Sequence, residues 1–204
     1  MKEAEKQPSP KLGRPLSFDR GQALEKAMLA FWANGYEATS VSDLTATMGI
    51  TPPSLYAAYG DKKRLFLEAV DLYCTRPMSA EDSIVQANTA AKAARNLLES
   101  AAVHFTGQDT PQGCLLATGA ISCSVGAADV QARLAAIRAR TEQLLQAKII
   151  ADIEANVISA ETDADLLASY VMALIQGMST LARDGASREK LLALSAAMMR
   201  GWPE

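Results

Sequence analysis

Three cations in a row, Lys62, Lys63 and Arg64, follow Asp61 at the start of a segment whose Leu65, Phe66, Ala69, Val70 and Tyr73 recur at helical spacing. With Asp61 as N-cap, all three fall in the first turn, where the helix dipole is positive and acids are preferred. They oppose the helix unless an anion is supplied from outside, and a phosphate satisfies both the N-terminal amides and the lysines. The alternative is a solvated face, at a cost of about a few tenths of a kcal/mol per lysine, with Asp61 partly offsetting it. A second basic feature lies upstream, where Lys11 precedes Gly13-Arg14-Pro15. Such an arm either reaches a minor groove with its arginine or is a flexible tail.

Other chemistries are poorly provided for. Cys74, Cys114, Cys123 and His104 are spread too widely for a zinc site, so no metal and no cofactor are expected. One histidine, no nucleophile elbow and no glycine-rich phosphate loop leave little catalytic apparatus, and the expectation is that the protein is not an enzyme. An odd cysteine count fits a reducing compartment. Without an apolar stretch in MKEAEKQPSP, and with Ala27 to Ala33 as the longest apolar run, neither a signal peptide nor a membrane span is expected, and the location expected is cytoplasmic. Net charge is -3, so nucleic-acid binding would have to be a local property.

Cys114 follows Pro111-Gln112-Gly113 at the start of an expected helix. A thiol there can have a lowered pKa and sense oxidants or electrophiles. The competing reading makes it a small buried hydrophobe lining the core or a ligand pocket, together with Phe105. A bridge from Cys114 to Cys123 within one helix is excluded, because nine residues at 1.5 Å each separate them by about 13.5 Å, against a disulfide limit of about 7 Å.

The elements that would hold these residues are all helices. Aromatic residues concentrate before residue 75 and alanines after it, which divides the chain into a basic arm (1–17), a small first domain (18–76) and a larger second domain (77–204), with Pro77 at the join. Nothing alternates with period two, so the fold class is all-α. In the second domain the periodicity predicts helices near 80–106, 113–124, 127–156, 161–183 and 187–201, with Gly107 and Gly185 as stops and Ser187 as a cap. In the first, a helix runs from Ala23 to Asn34 and stops at Gly35. Ser40 caps a short helix through Met48, with Asp43 in capping-box spacing. Thr51 caps a third, with Pro52 and Pro53 in its first turn, closing at Gly60.

Helix, a Gly-containing turn (Met48-Gly49-Ile50-Thr51) and a second short helix is the sequence form of a helix-turn-helix. The stretch Phe18 to Cys74, above all GYEATSVSDLTATMGITPPSLYAAYGDKKRLF, resembles the DNA-binding domain of TetR-family (TetR/AcrR) transcriptional regulators. The features that carry the likeness are Gly35-Tyr36, Thr39-Ser40, Gly49, Leu55-Tyr56, and an aromatic followed by Asp61-Lys62. Gly113-Cys114-Leu115-Leu116 is similar to a run in one subset of the family. The resemblance implies a third helix in the major groove of double-stranded DNA. It makes Lys62, Tyr56 and Ser40 phosphate contacts, and it turns Pro53, Ser54 and Ala57 toward base edges. Ser42 and Tyr59 are also expected at the DNA face, and Ser42, Ala58 and Tyr59 stand where the family often has arginine, histidine and phenylalanine. Few long polar side chains remain for bidentate base readout.

For the second domain the resemblance implies ligand binding and dimerisation. Ser169, Ala173 and Gly177 form a small-residue strip that lets another helix approach closely, flanked by Tyr170, Leu174, Ile175, Met178 and Leu181 and by Leu191, Leu194, Met198 and Met199 of the last helix. Periodicity alone allows packing within one chain equally well. The resemblance favours a homodimer on a near-palindromic operator. The expected function is a repressor released from DNA by an apolar small molecule bound among the helices of 80–183. The competing reading is a lipid or small-molecule carrier of the same fold that does not bind DNA.

Overall fold

The computed structural model describes residues 18–75 and 80–203, and over these it is helical throughout, with no strand. The first four helices are α1 (Arg20–Asn34), α2 (Val41–Met48), α3 (Pro52–Tyr59) and α4 (Lys62–Cys74). Each begins at an oxygen-bearing cap: Asp19, Ser40, Thr51 and Asp61 accept from the main-chain N–H three residues ahead. At Ser40 the capping box is complete, with Asp43 returning a bond to the Ser40 N–H at 3.0 Å. Between α2 and α3, Gly49 takes the left-handed conformation (φ 71°, ψ 34°), which a residue with a Cβ adopts only under strain.

Six further helices follow: α5 (Ala80–Val85), α6 (Ala90–Phe105), α7 (Leu115–Thr118), α8 (Ala128–Glu154), α9 (Ala164–Arg183) and α10 (Arg188–Arg200), with a 3-10 turn at Val125–Ala127 before α8. Two sequence expectations fail here. The single helix over 80–106 is broken between α5 and α6. Thr89 caps α6 with its side chain, while the buried carboxylate of Asp152 on α8 accepts from the Ala90 N–H at 2.7 Å. The helix over 113–124 shrinks to the four residues of α7 and ends at Gly119.

Two hydrophobic cores hold these elements. Phe31, Trp32, Leu44, Leu55, Leu65 and Phe66 centre the first, with the Phe31 and Phe66 rings edge to face at 5.0 Å. That core also takes in Leu115, Val130 and Leu134 from the later part of the chain, so it is not closed by residues 18–75 alone. The second is built from Leu97, Leu98, Leu145, Ile149, Val171 and Met178 of α6, α8 and α9. The join expected at Pro77 lies outside the described residues.

Candidate nucleic-acid interface and the cavity behind it

Residues of α3 divide cleanly between core and solvent. Leu55 and Tyr59 are buried, whereas Pro52, Pro53, Tyr56 and Ala57 are exposed and Ser54 is half-buried. The outer face therefore carries one aromatic, two prolines and small residues. Ser54 is tied to the cap, with its hydroxyl 2.9 Å from that of Thr51.

Tyr59 departs from the expectation that it contacts DNA. Its ring is 2% exposed, its hydroxyl donates to the Arg20 carbonyl at 2.7 Å, and the Arg20 guanidinium lies over the ring at 4.4 Å. Arg20 in turn pairs with Glu68 and donates to the Ala58 carbonyl, so this cluster fastens α1 to the end of α3 and to α4. Tyr59 is a scaffold residue, because the helix period places it with Leu55 on the inner face.

Beside α3, Ser40 and Ser42 are exposed at the start of α2. The Ser40 hydroxyl already donates to Asp43 at 2.6 Å. The three cations of α4 meet different fates. Lys62 lies over the Tyr36 ring at 4.5 Å with its ammonium toward the Glu37 carbonyl, and burial holds its pKa below the ordinary lysine value. Lys63 is paired with Asp129 of α8 at 2.9 Å. Arg64 is exposed and makes no ion pair with any described residue. The anion required from outside is thus partly supplied by the protein itself, through an acid 66 residues away that helix-local reasoning could not reach. Arg14 lies outside the described residues.

Behind this face, a cavity of about 770 Å³ opens among α6, α7, α8 and α9, with Trp32 and Tyr73 in its wall. Phe105 and Cys114 both line it, as the sequence suggested. The reactive-thiol expectation meets an opposing force. Burial raises the Cys114 pKa and outweighs the Tyr73 hydroxyl and the Ala117 and Leu116 amides, which favour the thiolate. Among the described residues, the Tyr73 hydroxyl is the side chain that donates to its sulfur, at 3.4 Å.

Along α9, Ala173 and Gly177 are exposed with Tyr170 (59%) and Leu166 (66%), the last a residue absent from the expected interface. Leu174, Leu181 and Leu194 are half-buried. Ser169 donates its hydroxyl to Glu142 of α8. Met178, Leu191 and Met198 face into the protomer and pack in its second core, which corrects their expected place at a surface interface. α9 is long and apolar enough by composition to cross a bilayer, and only 28% of its apolar window is buried.

Comparison with known proteins places this arrangement. Residues 23–69 match the family model for bacterial regulatory proteins of the tetR family, and residues 90–198 match that for a tetracyclin repressor-like C-terminal domain. The HTH-type transcriptional repressor ComR of Escherichia coli (strain K12) is 36% identical over 194 residues, 94% of this chain and 92% of that protein. BdcR, an HTH-type transcriptional repressor of the same organism, is 29% identical over 185 residues, 90% of this chain and 89% of that protein. Among solved structures, a cysteine mutant of the TetR family regulator CifR, complexed with 26-bp double-strand operator DNA, has TM-score 0.88 at 35% identity and covers 94% of this chain and 100% of its own. With both halves matched and a relative this similar over nearly its whole length, the chain belongs to the TetR family of transcriptional regulators.

Proposed function

We propose that the protein is a repressor that binds a near-palindromic operator as a homodimer and leaves it when an apolar small molecule fills the cavity. The observation that carries this reading is the exposed face of α3, Pro53, Tyr56 and Ala57, held out by a helix-turn-helix whose inner residues are fully packed. Flanking it are Ser40, Ser42 and Lys62, which are assigned to phosphates, with Ser54 and Ala57 toward bases and Arg14 in the adjoining minor groove. ComR and BdcR are named repressors, and CifR was solved on its operator, which supports the same role here.

The dimer rests on α9. A helix this apolar, with Leu166, Tyr170, Ala173 and Gly177 on its open side, calls for a cover, and a second α9 and α10 supply one. No catalytic step belongs to this reading, and the site of action is the cytoplasm. Footprinting on the DNA upstream of the protein's own coding sequence tests it. Two protected half-sites separated by whole helical turns are expected. Absence of protection at low salt, with folded protein, would leave a ligand carrier without DNA binding as the better description.

A further inference from the structure

We infer that the cavity selects an apolar molecule carrying a single carboxylate, held by Arg138. This builds on the effector reading above only for its consequence at DNA; the binding itself is a separate property.

The walls are largely apolar, with Trp32, Leu97, Phe105, Met172 and Ile175. Charge is distributed unevenly around them. Glu81, Asp82, Asp109, His104 and Arg188 are exposed, where water and salt screen them. Arg138 is half-buried. Its guanidinium donates to the Leu116 main-chain carbonyl, and it takes part in none of the ion pairs among the described residues, which are Arg20–Glu68, Lys63–Asp129, Arg95–Glu99 and Arg133–Asp71. A guanidinium has five N–H donors in a planar fork that matches a carboxylate. One neutral acceptor leaves most of that capacity, and the positive charge, without a partner among the described residues. Partial burial of a cation without its counterion is unfavourable, and a ligand carboxylate removes that penalty while its apolar body covers the walls.

Neutral donors stand in the same wall. The Tyr73 hydroxyl gives its proton to the Cys114 sulfur, a weak acceptor that a carboxylate oxygen readily replaces. A single half-buried cation balances one negative charge, which favours a monoanion over a dianionic phosphate, and it repels an amine.

The Arg138 contact also links cavity and DNA face. Leu116 belongs to α7, and α7 ends at Gly119, whose carbonyl accepts from the Tyr36 N–H at 2.7 Å. Tyr36 carries Lys62 on its ring. A carboxylate that takes Arg138 away from the Leu116 carbonyl loosens α7 where it holds the segment between α1 and α2.

Trp32 lines the cavity, so its fluorescence in a Trp202→Phe background reports binding without DNA. Decanoate, 1-decanol and decylamine offer one body with three head groups. Decanoate is expected to bind about tenfold or more tightly than the alcohol, as a charge-assisted pair implies, with the amine weakest. Arg138→Gln should bring decanoate down to the alcohol and leave the alcohol unchanged. Equal binding of acid and alcohol by the wild type, no Trp32 response to decanoate, or a preference that survives Arg138→Gln would each overturn the inference. If Arg138→Gln melts at the working temperature, the wild-type series still decides. Decanoate bound with the acid preference but operator DNA still held would sink the ligand-release reading and leave the carboxylate site standing.

Discussion

Lys62 is held by two neutral partners, a ring and a carbonyl, and so keeps its charge available. If it meets a phosphate, Lys62→Ala should weaken binding to all sequences about equally and lower the slope of log affinity against log salt by roughly one. Ser54→Ala should instead change the ranking of operator variants. Unchanged salt dependence in Lys62→Ala would remove it from the phosphate set. Tyr59 makes the opposite case. Tyr59→Phe loses a partly buried hydrogen bond and should cost about 1 kcal/mol in chemical denaturation while folded protein keeps its operator affinity. A specific loss of affinity at full folding would return Tyr59 to the interface. The cysteines rank by burial. Burial pushes Cys74 up to about 11 and also raises Cys114, so both are less ionised at neutral pH than a free thiol. Iodoacetamide is expected to label Cys114 slowly in the native protein, with a rate that climbs with pH beyond 8.5, roughly the free-cysteine value. Rapid labelling near pH 7 would show that the sensor reading survives in an opened state.

At the scale of elements, α9 separates folding from association. A Cβ at Gly177 meets nothing within 4 Å in its own protomer, so Gly177→Leu has room to fold and adds helix propensity. Across a close-packed pair of α9 helices the same side chain overpacks, at about 1 to 3 kcal/mol or more. Sedimentation should therefore show folded monomers of the variant, with helical content unchanged, beside a dimeric wild type, and any fall in melting point should vanish against wild type diluted below its dimer dissociation constant. A wild type that is monomeric at micromolar concentration defeats the proposal. The starts of α2, α3 and α4 are legible almost to the residue, because Ser40, Thr51 and Asp61 are local caps and Gly49 and Gly60 local stops, whereas α1 begins at Arg20, three residues before the expected Ala23, because Asp19 caps it. Tertiary signals were not legible. The gap between α5 and α6 contains no Gly or Pro, and apolar spacing runs on through Ile84, Ala87 and Ala91. The start of α6 carries one local signal, the Thr89 cap, which the continuing apolar spacing outweighs, and one distant one, the Asp152 carboxylate on the Ala90 N–H. Periodicity likewise marks the α9 stripe without saying which side of it faces inward, so it groups Met178 with Tyr170, although one is fully buried and the other 59% exposed.

Considered whole, the molecule ties its DNA-reading end to its ligand-binding end through polar contacts as well as through the shared core. The Trp32 indole N–H donates to the Gly113 carbonyl at 3.0 Å, and Arg183 of α9 donates to the Trp32 and Ala33 carbonyls at the end of α1. Nearer the DNA face, the Glu37 carboxylate accepts from the Ser124 N–H at 2.8 Å, and Lys63 pairs with Asp129. Both carboxyls are held below their ordinary values, Glu37 by the Ser124 N–H and Asp129 by the Lys63 ammonium. A depressed folded-state pKa stabilises the native form above the unfolded value, near about pH 4, and the contribution disappears as pH falls through the folded value. The double variant Glu37→Gln/Asp129→Asn should therefore melt below wild type at neutral pH, and the two melting curves should converge as pH drops toward about 3. Because Lys63 loses its partner in that variant while the cavity keeps its walls, operator affinity at low salt should rise or hold rather than fall, since one more cation becomes free for phosphate. Parallel pH profiles at one protein concentration would show that these contacts form without joining the two ends, and would leave the shared core, through Leu115, Val130 and Leu134, as the connection between them.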